Sequence, residues 1–535
     1  MYNITMEKDK RIAELEAENA RLKSENTKLN GENTKLKTLN NWYLEQFRLS
    51  QQRRFGSSSE KTVLTGQLGL FNEAEAFADN PPEAEEISSY SRKKRTGKRE
   101  EFYDGIPTEQ VIHELPEKER ICPDCGGSLH ACGHDTLRRE LEVIPAQVRA
   151  VEHIQTVYSC RNCEQNATDE PVPIVKSPVP APVIPGSGMA SPSFLSFVMC
   201  NKYVLALPLY RQEQELGRIG IHISRQTLSN WIIYAADKWL TPIYDLLRAK
   251  ILKNDILHAD ETTVQVIKES GRKSSQKSYM WMYHTGRDAA RHIALFEYQP
   301  TREGKHPMEF LKGFQGFLHV DGYAGYRGLE DNGVTLIECW AHARRKFDEA
   351  LKALKKEDRK GSVANIGLDY CNRLFELERK FDELKIGYED RSEQRKTQSR
   401  PVADAFFAWA GSMRANILPK SKFGQAITYA VNQKPWLMNF LLDGRLELSN
   451  NRAERTIRPF TIGRKNWLFS YCARGAKASA IVYSILETAQ ANGLVPFMYL
   501  NYLFKTLPNI PADQWAECLP WSPDVKKVCK IPKLK

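Results

Sequence analysis

The sequence predicts a multidomain protein: an N-terminal α-helical coiled coil, a small β-rich domain with paired cysteines, a helix-turn-helix, and an α/β core with a helical insertion. Three observations lead to this class. First, 535 residues exceed what one hydrophobic core normally serves. Second, leucines recur at every seventh position near the N-terminus, and two Cys-x-x-Cys pairs follow. Third, β-type runs alternate with helical patterns beyond residue 251, and a long helical stretch divides them.

Residues 1–50 carry the heptad pattern of a parallel coiled coil. Leucine occupies the d positions and mostly asparagine the a positions: Leu15, Leu22, Leu29, Leu36 and Ile12, Asn19, Asn26, Asn33. A parallel pair in register brings Glu18 to Lys23 and Glu32 to Lys37, so the pattern predicts a homodimer or a higher homo-oligomer. The alternative is an amphipathic helix that packs on its own chain, and Gly31 weakens the helix in either case.

Residues 51–105 have the composition of a disordered linker, acidic in its first part and basic in its second. Six of the eight residues from Arg92 to Arg99 are basic. Such a run binds phosphates without sequence preference, so we interpret it as a nonspecific DNA-binding arm, with a merely solvated linker as the alternative.

Residues 106–170 contain two Cys-x-x-Cys pairs that 34 residues separate. Four thiolates in two such knuckles complete a tetrahedral structural zinc site, with Cys122, Cys125, Cys160 and Cys163 as ligands. The alternating β-type residues between the pairs fit a ribbon that returns the second knuckle to the first. Residues 171–192 follow, and their prolines predict an extended, semi-rigid linker.

Residues 193–250 predict a helical DNA-binding unit. The pattern indicates a helix, a glycine-containing turn, and a second helix that Ser224 caps. This spacing would present a set of polar side chains to a DNA groove: Arg225, Gln226, Ser229 and Asn230. An ordinary helical hairpin is the alternative.

Three acidic residues lie next to segments that are expected to be buried, where a charged side chain is unusual unless it has a function. Asp260 and Asp321 each follow an apolar run and are expected at strand edges, whereas Glu454 follows helix-capping residues and is expected in the first turns of a short helix. These are the parts needed to hold a pair of Mg²⁺ or Mn²⁺ ions for phosphodiester chemistry. Residues 251–345 and 444–494 would form this core. Gly322 indicates that the backbone there approaches another group closely.

Basic residues surround the predicted acids, as phosphate contacts require: Arg344, Arg345, Arg452, Arg455, Arg458, Arg464 and Lys465. His258 and His319 each precede an aspartate by two residues and would share its face of the strand, where we favour packing or supporting roles over metal ligation. The role of His342 stays open. Two-metal chemistry requires no covalent intermediate, so neither Tyr323 nor Tyr326 is assigned as a nucleophile.

The 132 residues between Asp321 and Glu454 exceed what a compact core needs, and residues 346–443 have helical patterns. We interpret them as an insertion that covers the site, grips DNA or braces the fold. Residues 495–535 are expected to wrap the core. The net charge of +11 permits a polyanionic partner, and the absence of a long apolar run or signal-like start predicts a cytoplasmic protein that does not enter the membrane.

Five blocks occur in an order that resembles transposases of the insertion sequence 66 family: HADET, VDGYAGY, CWAHARRKF, LSNNRAERTIRPFTIGRKNWLF and ETAQANGLVPFMYL. The resemblance implies a ribonuclease H-like catalytic core of the DDE type, with Asp260, Asp321 and Glu454 as its metal-binding carboxylates. It also implies a nucleoid-associated enzyme that acts on transposon ends and target DNA, with accessory proteins encoded by the same element. A Mg²⁺ nuclease without strand transfer and a non-catalytic, zinc-containing DNA-binding regulator are the alternatives.

Overall fold

A computed structural model describes residues 15–33, 148–161, 174–415 and 417–531, and isolated positions within 36–47 and 116–131. The basic arm at 92–99 and three predicted zinc ligands, Cys122, Cys125 and Cys163, lie outside the described residues. The chain divides into two compact units, one of residues 1–84 with 182–530 and one of residues 85–181 with 531–535.

The smaller unit contains a two-stranded antiparallel ribbon of β1 (Val157–Ser159) and β2 (Ile174–Lys176). A hydrogen bond from the Gln155 amide to the Ser177 carbonyl, at 2.7 Å, extends the pairing. The beginning of the stretch predicted as an extended linker is therefore a strand. The reason is local, because Ile174–Lys176 is a proline-free segment with two β-branched residues that can pair along its backbone.

The larger unit begins with a helix over residues 15–33, here called the N-terminal helix. Its leucines at seven-residue spacing are about half exposed, with Leu15 at 50% and Leu29 at 59%. Beyond residue 182 the chain forms α1 (Pro192–Tyr203), α2 (Leu209–Arg218), α3 (Arg225–Ala235) and α4 (Thr241–Ile251). No helix within the described part of the chain is long and apolar enough to cross a membrane.

A mixed sheet forms the centre of the larger unit. Its strands are β3 (Ile256–Lys268), β4 (Lys277–Thr285), β5 (Ala294–Gln299), β6 (Gly316–Val320) and β7 (Val334–Glu338). The spatial order is β5-β4-β3-β6-β7, in which β3, β4 and β5 form an antiparallel meander and β6 and β7 run parallel to β3. Short helices occupy two connections: α5 (Lys305–Phe310) and a 3₁₀ segment (Ala324–Asn332).

Helices dominate the stretch between the sheet and Glu454. They are α6 (Trp340–Lys352), α7 (Val363–Glu383), α8 (Tyr388–Gln394), α9 (Arg400–Arg414) and α10 (Lys422–Leu437). Their apolar faces build a second core in which the buried Trp340 indole donates to the Leu437 carbonyl at 2.7 Å. Ile256 and Ile337 of the sheet also belong to this core, so the helices cover one side of the strands.

The chain then returns to the sheet. The remaining elements are α11 (Asn451–Trp467), β8 (Ser470–Cys472), α12 (Ala473–Ala491), α13 (Pro496–Thr506) and α14 (Pro523–Cys529). Helix α12 covers the edge strand β5: the amides of Ala294 and Phe296 donate to Thr488 and Ser484 at 3.1 and 2.7 Å. These hydroxyls satisfy backbone groups that an open sheet edge would leave unpaired.

Helix α11 is longer than the short helix predicted for this region. It has 17 residues and continues through Pro459, which removes one backbone donor and would ordinarily end a helix. Its buried face of Ala453, Ile457 and Phe460 packs in the main core, and this tertiary contact sustains the helix beyond the proline.

Candidate active site

The two predicted aspartates lie side by side because of strand register. Strand β3 pairs with β6 in parallel, and the last matched residues are His258 and His319. Asp260 and Asp321 are each two residues further on, so they reach the same level and share the face of their histidines. The imidazole rings stack at 4.2 Å between centroids, which confirms that this face is continuous across both strands.

The position of Asp260 corrects one expectation. It was predicted at a strand edge, but it lies inside β3, which is a central strand and continues to Lys268. The strand continues because β4 still pairs with it in the hairpin, with Asp260 opposite Met282. Only the parallel pairing with β6 stops before Asp260, since Asp321 follows the last residue of β6.

Glu454 lies in the first turn of α11, and Asn450 ties this turn to β3. The Asn450 side chain does not cap the helix. Its amide instead donates to the carbonyl of Ala259 at 2.8 Å, and its oxygen accepts from Nδ1 of His258 at 2.9 Å. The Asn450 carbonyl accepts from the Glu454 amide at 3.2 Å. One buried side chain therefore fixes the start of α11 beside the residue that precedes Asp260.

His258 and His319 are buried in the strands that carry or precede the two aspartates. Nε2 of His258 lies 3.0 Å from Oε2 of Glu447, and Nε2 of His319 accepts from the Glu447 amide at 3.4 Å. Burial raises the pKa of Glu447, but its contacts with His258 and Arg452 outweigh that effect and hold the pKa well below its usual range. Burial, followed by the charge of His258, lowers the pKa of His319. This network suits the supporting roles that we favoured for the two histidines.

Negative charge accumulates around Asp260. Burial and then the neighbouring carboxylates of Glu261 and Asp321 raise the pKa of Asp260 well above its usual range, and the charge of Glu454 adds to the effect. The backbone amide of Glu261 donates to Oδ1 of Asp260 at 2.8 Å. A buried carboxylate next to other carboxylates is an environment that a bound cation would stabilise.

Sequence reasoning missed Glu261, whose carboxylate is buried beside the site. The Arg302 guanidinium donates to it at 2.8 Å and the Tyr326 hydroxyl at 2.6 Å. Burial and the charge of Asp321 raise the pKa of Glu261, while Tyr326 and Arg302 act in the opposite direction. Its place beside Asp260 in the HADET block was a signal, but its partners lie 41 and 65 residues away along the chain.

Three of the predicted phosphate-binding arginines are tied to the protein. Their guanidinium groups donate to side chains: Arg452 to Glu447 at 2.9 Å, Arg464 to Thr262 at 2.9 Å and Arg344 to Asn372 at 2.6 Å. The others are exposed: Arg345, Arg455, Arg458 and Lys465. Arg345 lies 3.8 Å from Oε2 of Glu454, which brings a cation to the third carboxylate.

The predicted DNA-reading side chains lie on the first turns of α3. Ser224 caps this helix as expected, because its hydroxyl accepts from the Thr227 amide at 3.2 Å. Leu228 and Trp231 bury the opposite face of the helix. Of the four named residues Ser229 is half-buried, and three are exposed: Arg225, Gln226 and Asn230.

Comparison with known families agrees with this architecture. The profile described as "Transposase IS66 family" matches residues 187–478, more than half of the chain. Further matches are the zinc-finger binding domain of transposase IS66 at 119–164, the IS66 C-terminal element at 484–521, and "Transposase C of IS166 homeodomain" at 42–111. The chain belongs to the IS66 transposase family, which confirms the resemblance. It is a multidomain protein with a zinc-finger domain and a mixed α/β core, and its partner is DNA.

Two relatives from Sinorhizobium fredii cover most of the chain. The uncharacterized protein y4hP is 30% identical over 452 residues, which are 81% of this chain and 78% of the relative. The uncharacterized protein y4jD is 29% identical over 430 residues, 78% of this chain and 80% of the relative. The similarity therefore extends across about four fifths of each relative.

Proposed function

We propose that this chain is a DDE transposase. It would bind the terminal inverted repeats of its insertion sequence, cleave the DNA at each end, and join the freed 3′-hydroxyl to target DNA. The observation that carries the proposal is the common level of Asp260 and Asp321 on two parallel strands, with the helix of Glu454 docked beside them. The strand order, three antiparallel strands followed by two parallel ones, supports a ribonuclease H-like core.

The three carboxylates offer the oxygen ligands that Mg²⁺ and Mn²⁺ prefer. Burial, and then the carboxylates of Glu261 and Asp321, raise the pKa of Asp260, so a bound cation would stabilise its ionised form. A bound pair of ions would activate the attacking oxygen and stabilise the leaving oxygen. The protein's own contribution is position: strand pairing sets Asp260 and Asp321, and Asn450 sets the turn that carries Glu454. The exposed Arg345, Arg455 and Arg458 would hold the DNA backbone.

The test is cleavage and joining of DNA that carries the element's ends, in Mg²⁺, by wild type and by Asp260→Asn, Asp321→Asn and Glu454→Gln. Each variant should lose both activities by about 10³-fold or more and still bind the ends. Asp331→Asn and Glu357→Gln, at exposed acids, are matched controls that should remain active. Cleavage by wild type without joining would indicate a nuclease, and binding without metal-dependent cleavage would indicate a regulator.

The family zinc finger at 119–164 contains Cys122, Cys125, Cys160 and Cys163, and we assign these four thiolates to one structural zinc ion. Cys160 directly follows β1, so the ribbon brings it to one end of the paired strands. A Cys160→Ser variant should retain about one equivalent of zinc fewer than wild type after dialysis, and elemental analysis checks this.

The exposed leucines of the N-terminal helix support the proposed homodimer or higher homo-oligomer through a coiled coil. A charge at a d position destabilises the apolar interface between the helices. Leu22→Glu should therefore dissociate the assembly, and analytical ultracentrifugation measures its mass. Glu25→Gln changes an exposed position outside the leucine seam and should leave the assembly intact. An action on DNA would keep the assembled protein at the nucleoid.

A further inference from the structure

A second group of potential metal ligands overlaps the candidate active site. Cys339, His342 and Glu454 each offer a ligand atom, and these three atoms lie within 4.8 Å of one another. Within the described ranges, these are the only three histidine, cysteine or acidic residues whose ligand atoms all lie this close to one another. This group differs from the aspartate pair in chemistry, because it combines a thiol, an imidazole and a single carboxylate.

Local structure brings the three side chains together. Cys339 is the N-cap residue of α6, and His342 follows three positions later, so both face the same side of the helix start. Glu454 comes from the first turn of α11. The two helix starts are joined by Asn450, whose backbone N–H donates to Sγ of Cys339 at 3.1 Å.

An unpartnered polar atom points to a missing ligand. Oε1 of Glu454 is buried and accepts no hydrogen bond in the described structure, which leaves a free acceptor beside the His342 ring. Nε2 of His342 lies 3.7 Å from Oε1 of Glu454, too far for a hydrogen bond but suitable for two groups on either side of an ion. Buried polar atoms of this kind are ordinarily satisfied by protein, water or a metal.

We propose that Cys339, His342 and Glu454 bind a thiophilic divalent cation of the Zn²⁺ class, and that this ion competes with the catalytic cations for Glu454. Sulfur and imidazole nitrogen select zinc-type ions over Mg²⁺. Zinc bonds of about 2.0–2.3 Å place neighbouring ligands of one ion roughly 3.3–3.8 Å apart, so a contraction of about 1 Å closes the site. Three protein ligands leave a fourth position open.

The consequence is a switch. An ion that takes the Glu454 carboxylate withdraws one of the three acids on which strand cleavage depends, so occupancy would inhibit the enzyme. This inhibition rests on the proposed function, whereas ion binding does not. The inhibited state would reverse on chelation of the thiophilic ion, since no covalent bond of the protein changes.

The binding test uses Co²⁺ as the probe on the full-length protein, with its zinc finger already loaded with zinc and without Mg²⁺. Cobalt bound to a thiolate produces a near-ultraviolet charge-transfer band, and zinc resists replacement by cobalt in the finger. We expect a band that saturates at one Co²⁺ per chain in wild type and is lost in Cys339→Ser. Cys371→Ser, at another fully buried cysteine, should retain it. A band absent from wild type, or retained in Cys339→Ser, would overturn the proposal.

Because Cys339 is buried, its serine variant could fail to fold. His342→Gln leaves the thiol and the core intact, and it should weaken Co²⁺ binding by at least ~10-fold. Unchanged affinity in a folded His342→Gln protein would exclude the histidine and with it the three-ligand site.

The inhibition test compares cleavage with and without micromolar Zn²⁺ in excess Mg²⁺, as a ratio within each variant. Zinc should reduce cleavage by wild type and by Cys371→Ser at least ~10-fold. It should reduce cleavage by Cys339→Ser far less. Equal inhibition of Cys339→Ser would refute the switch. A wild-type protein without any Mg²⁺-dependent cleavage would refute the proposed function instead, and the cobalt titration would still decide ion binding.

Discussion

The two aspartates and the glutamate of the candidate site are held in place by different means. Asp260 lies in β3 and Asp321 directly follows β6, and the backbone pairing of these strands fixes the relative level of the two residues. Glu454 belongs to a helix, and its turn is tied to β3 through the side chain of Asn450. Many backbone hydrogen bonds together position the two aspartates, whereas a few side-chain hydrogen bonds position Glu454. The glutamate is therefore the acid whose position should be easiest to disturb by a single substitution.

Asn450→Ala tests this difference most directly. The substitution removes the side-chain partner of the buried Ala259 carbonyl and of Nδ1 of His258, which should cost about 2–4 kcal/mol in the free energy of unfolding. It should also reduce cleavage by roughly 10²-fold, because Glu454 loses its fixed position. Urea denaturation measures the loss of stability. Single-turnover cleavage, under conditions in which the variant is folded, measures the loss of activity.

Asn451→Ala is the matched control, since the neighbouring residue is exposed and should cost less than ~0.5 kcal/mol. If folded Asn450→Ala cleaves at the wild-type rate, packing of α11 rather than Asn450 positions Glu454, and the contrast with the aspartates disappears.

Gly322→Ala probes the aspartate side of the comparison. A Cβ at Gly322 would lie 2.9 Å from the Tyr429 ring of α10. The segment after β6 is therefore positioned by close packing against α10, whereas the turn of Glu454 is positioned by hydrogen bonds of Asn450. We expect a loss of about 1–3 kcal/mol and a smaller fall in cleavage than for Asn450→Ala. Denaturation of Gly322→Ala, Tyr429→Ala and the double variant gives the coupling energy, and the double variant should lose less than the sum.

Gly411→Ala on α9 provides the control for an added methyl group, because nothing lies within 4 Å of that position. It should be neutral or stabilise the protein by up to ~1 kcal/mol. Additive losses in the Gly322 and Tyr429 variants would show that the two groups do not press on each other.

The sequence revealed the parts of the site that depend on local pattern. An apolar run placed Asp260 on a strand, and the glycine after Asp321 indicated the close approach that Tyr429 makes. Ser224 was recognisable as a helix cap from its neighbours. These features extend over a few residues, which is the range that periodicity and capping rules describe.

Other parts depend on contacts across the fold. Asn450 resembled an ordinary capping residue, but its side chain binds Ala259, 191 positions away along the chain. Asp260 was expected at a strand edge because the apolar run stops there, whereas pairing with β4 extends the strand. Such partners are set by tertiary packing, so one sequence does not identify them. The assignment of roles to the three acids stays a prediction that the cleavage assays decide.

Glu297→Gln tests whether the pH dependence of stability, which a buried acid of the sheet produces, is independent of the pH dependence of cleavage at the site. Burial raises the pKa of Glu297 on β5 from 4.5 to about 7, against the weaker opposing effects of Gln299 and Arg248. The folded state therefore retains a proton that the unfolded state has lost, and stability falls as pH rises from about 4.5 through 7. The glutamine variant should lack this part of the decline, on the order of 1–3 kcal/mol.

Urea denaturation between pH 5 and 8.5 measures the effect, and Asp331→Asn, at an exposed acid of the 3₁₀ segment, is the control that should follow wild type. Parallel curves for wild type and Glu297→Gln would mean that Glu297 is ionised in the folded protein. Cleavage measured over the same range should keep its pH dependence in Glu297→Gln, because that residue is not among the three site acids.

Arg455→Ala and Arg458→Ala should produce the smallest effects and sharpen the glutamate side of the comparison. Both side chains are exposed on α11, one and four positions after Glu454, whereas Arg452 on the same helix is bound to Glu447. If each exposed arginine contacts one DNA phosphate, each variant should lower the slope of log affinity against log salt by about 1 and spare cleavage at saturating DNA. Lys505→Ala, at an exposed cation on α13, should leave the slope unchanged. An unaltered slope in both arginine variants would mean that DNA approaches Glu454 from another side, with Arg345 as the nearest remaining cation.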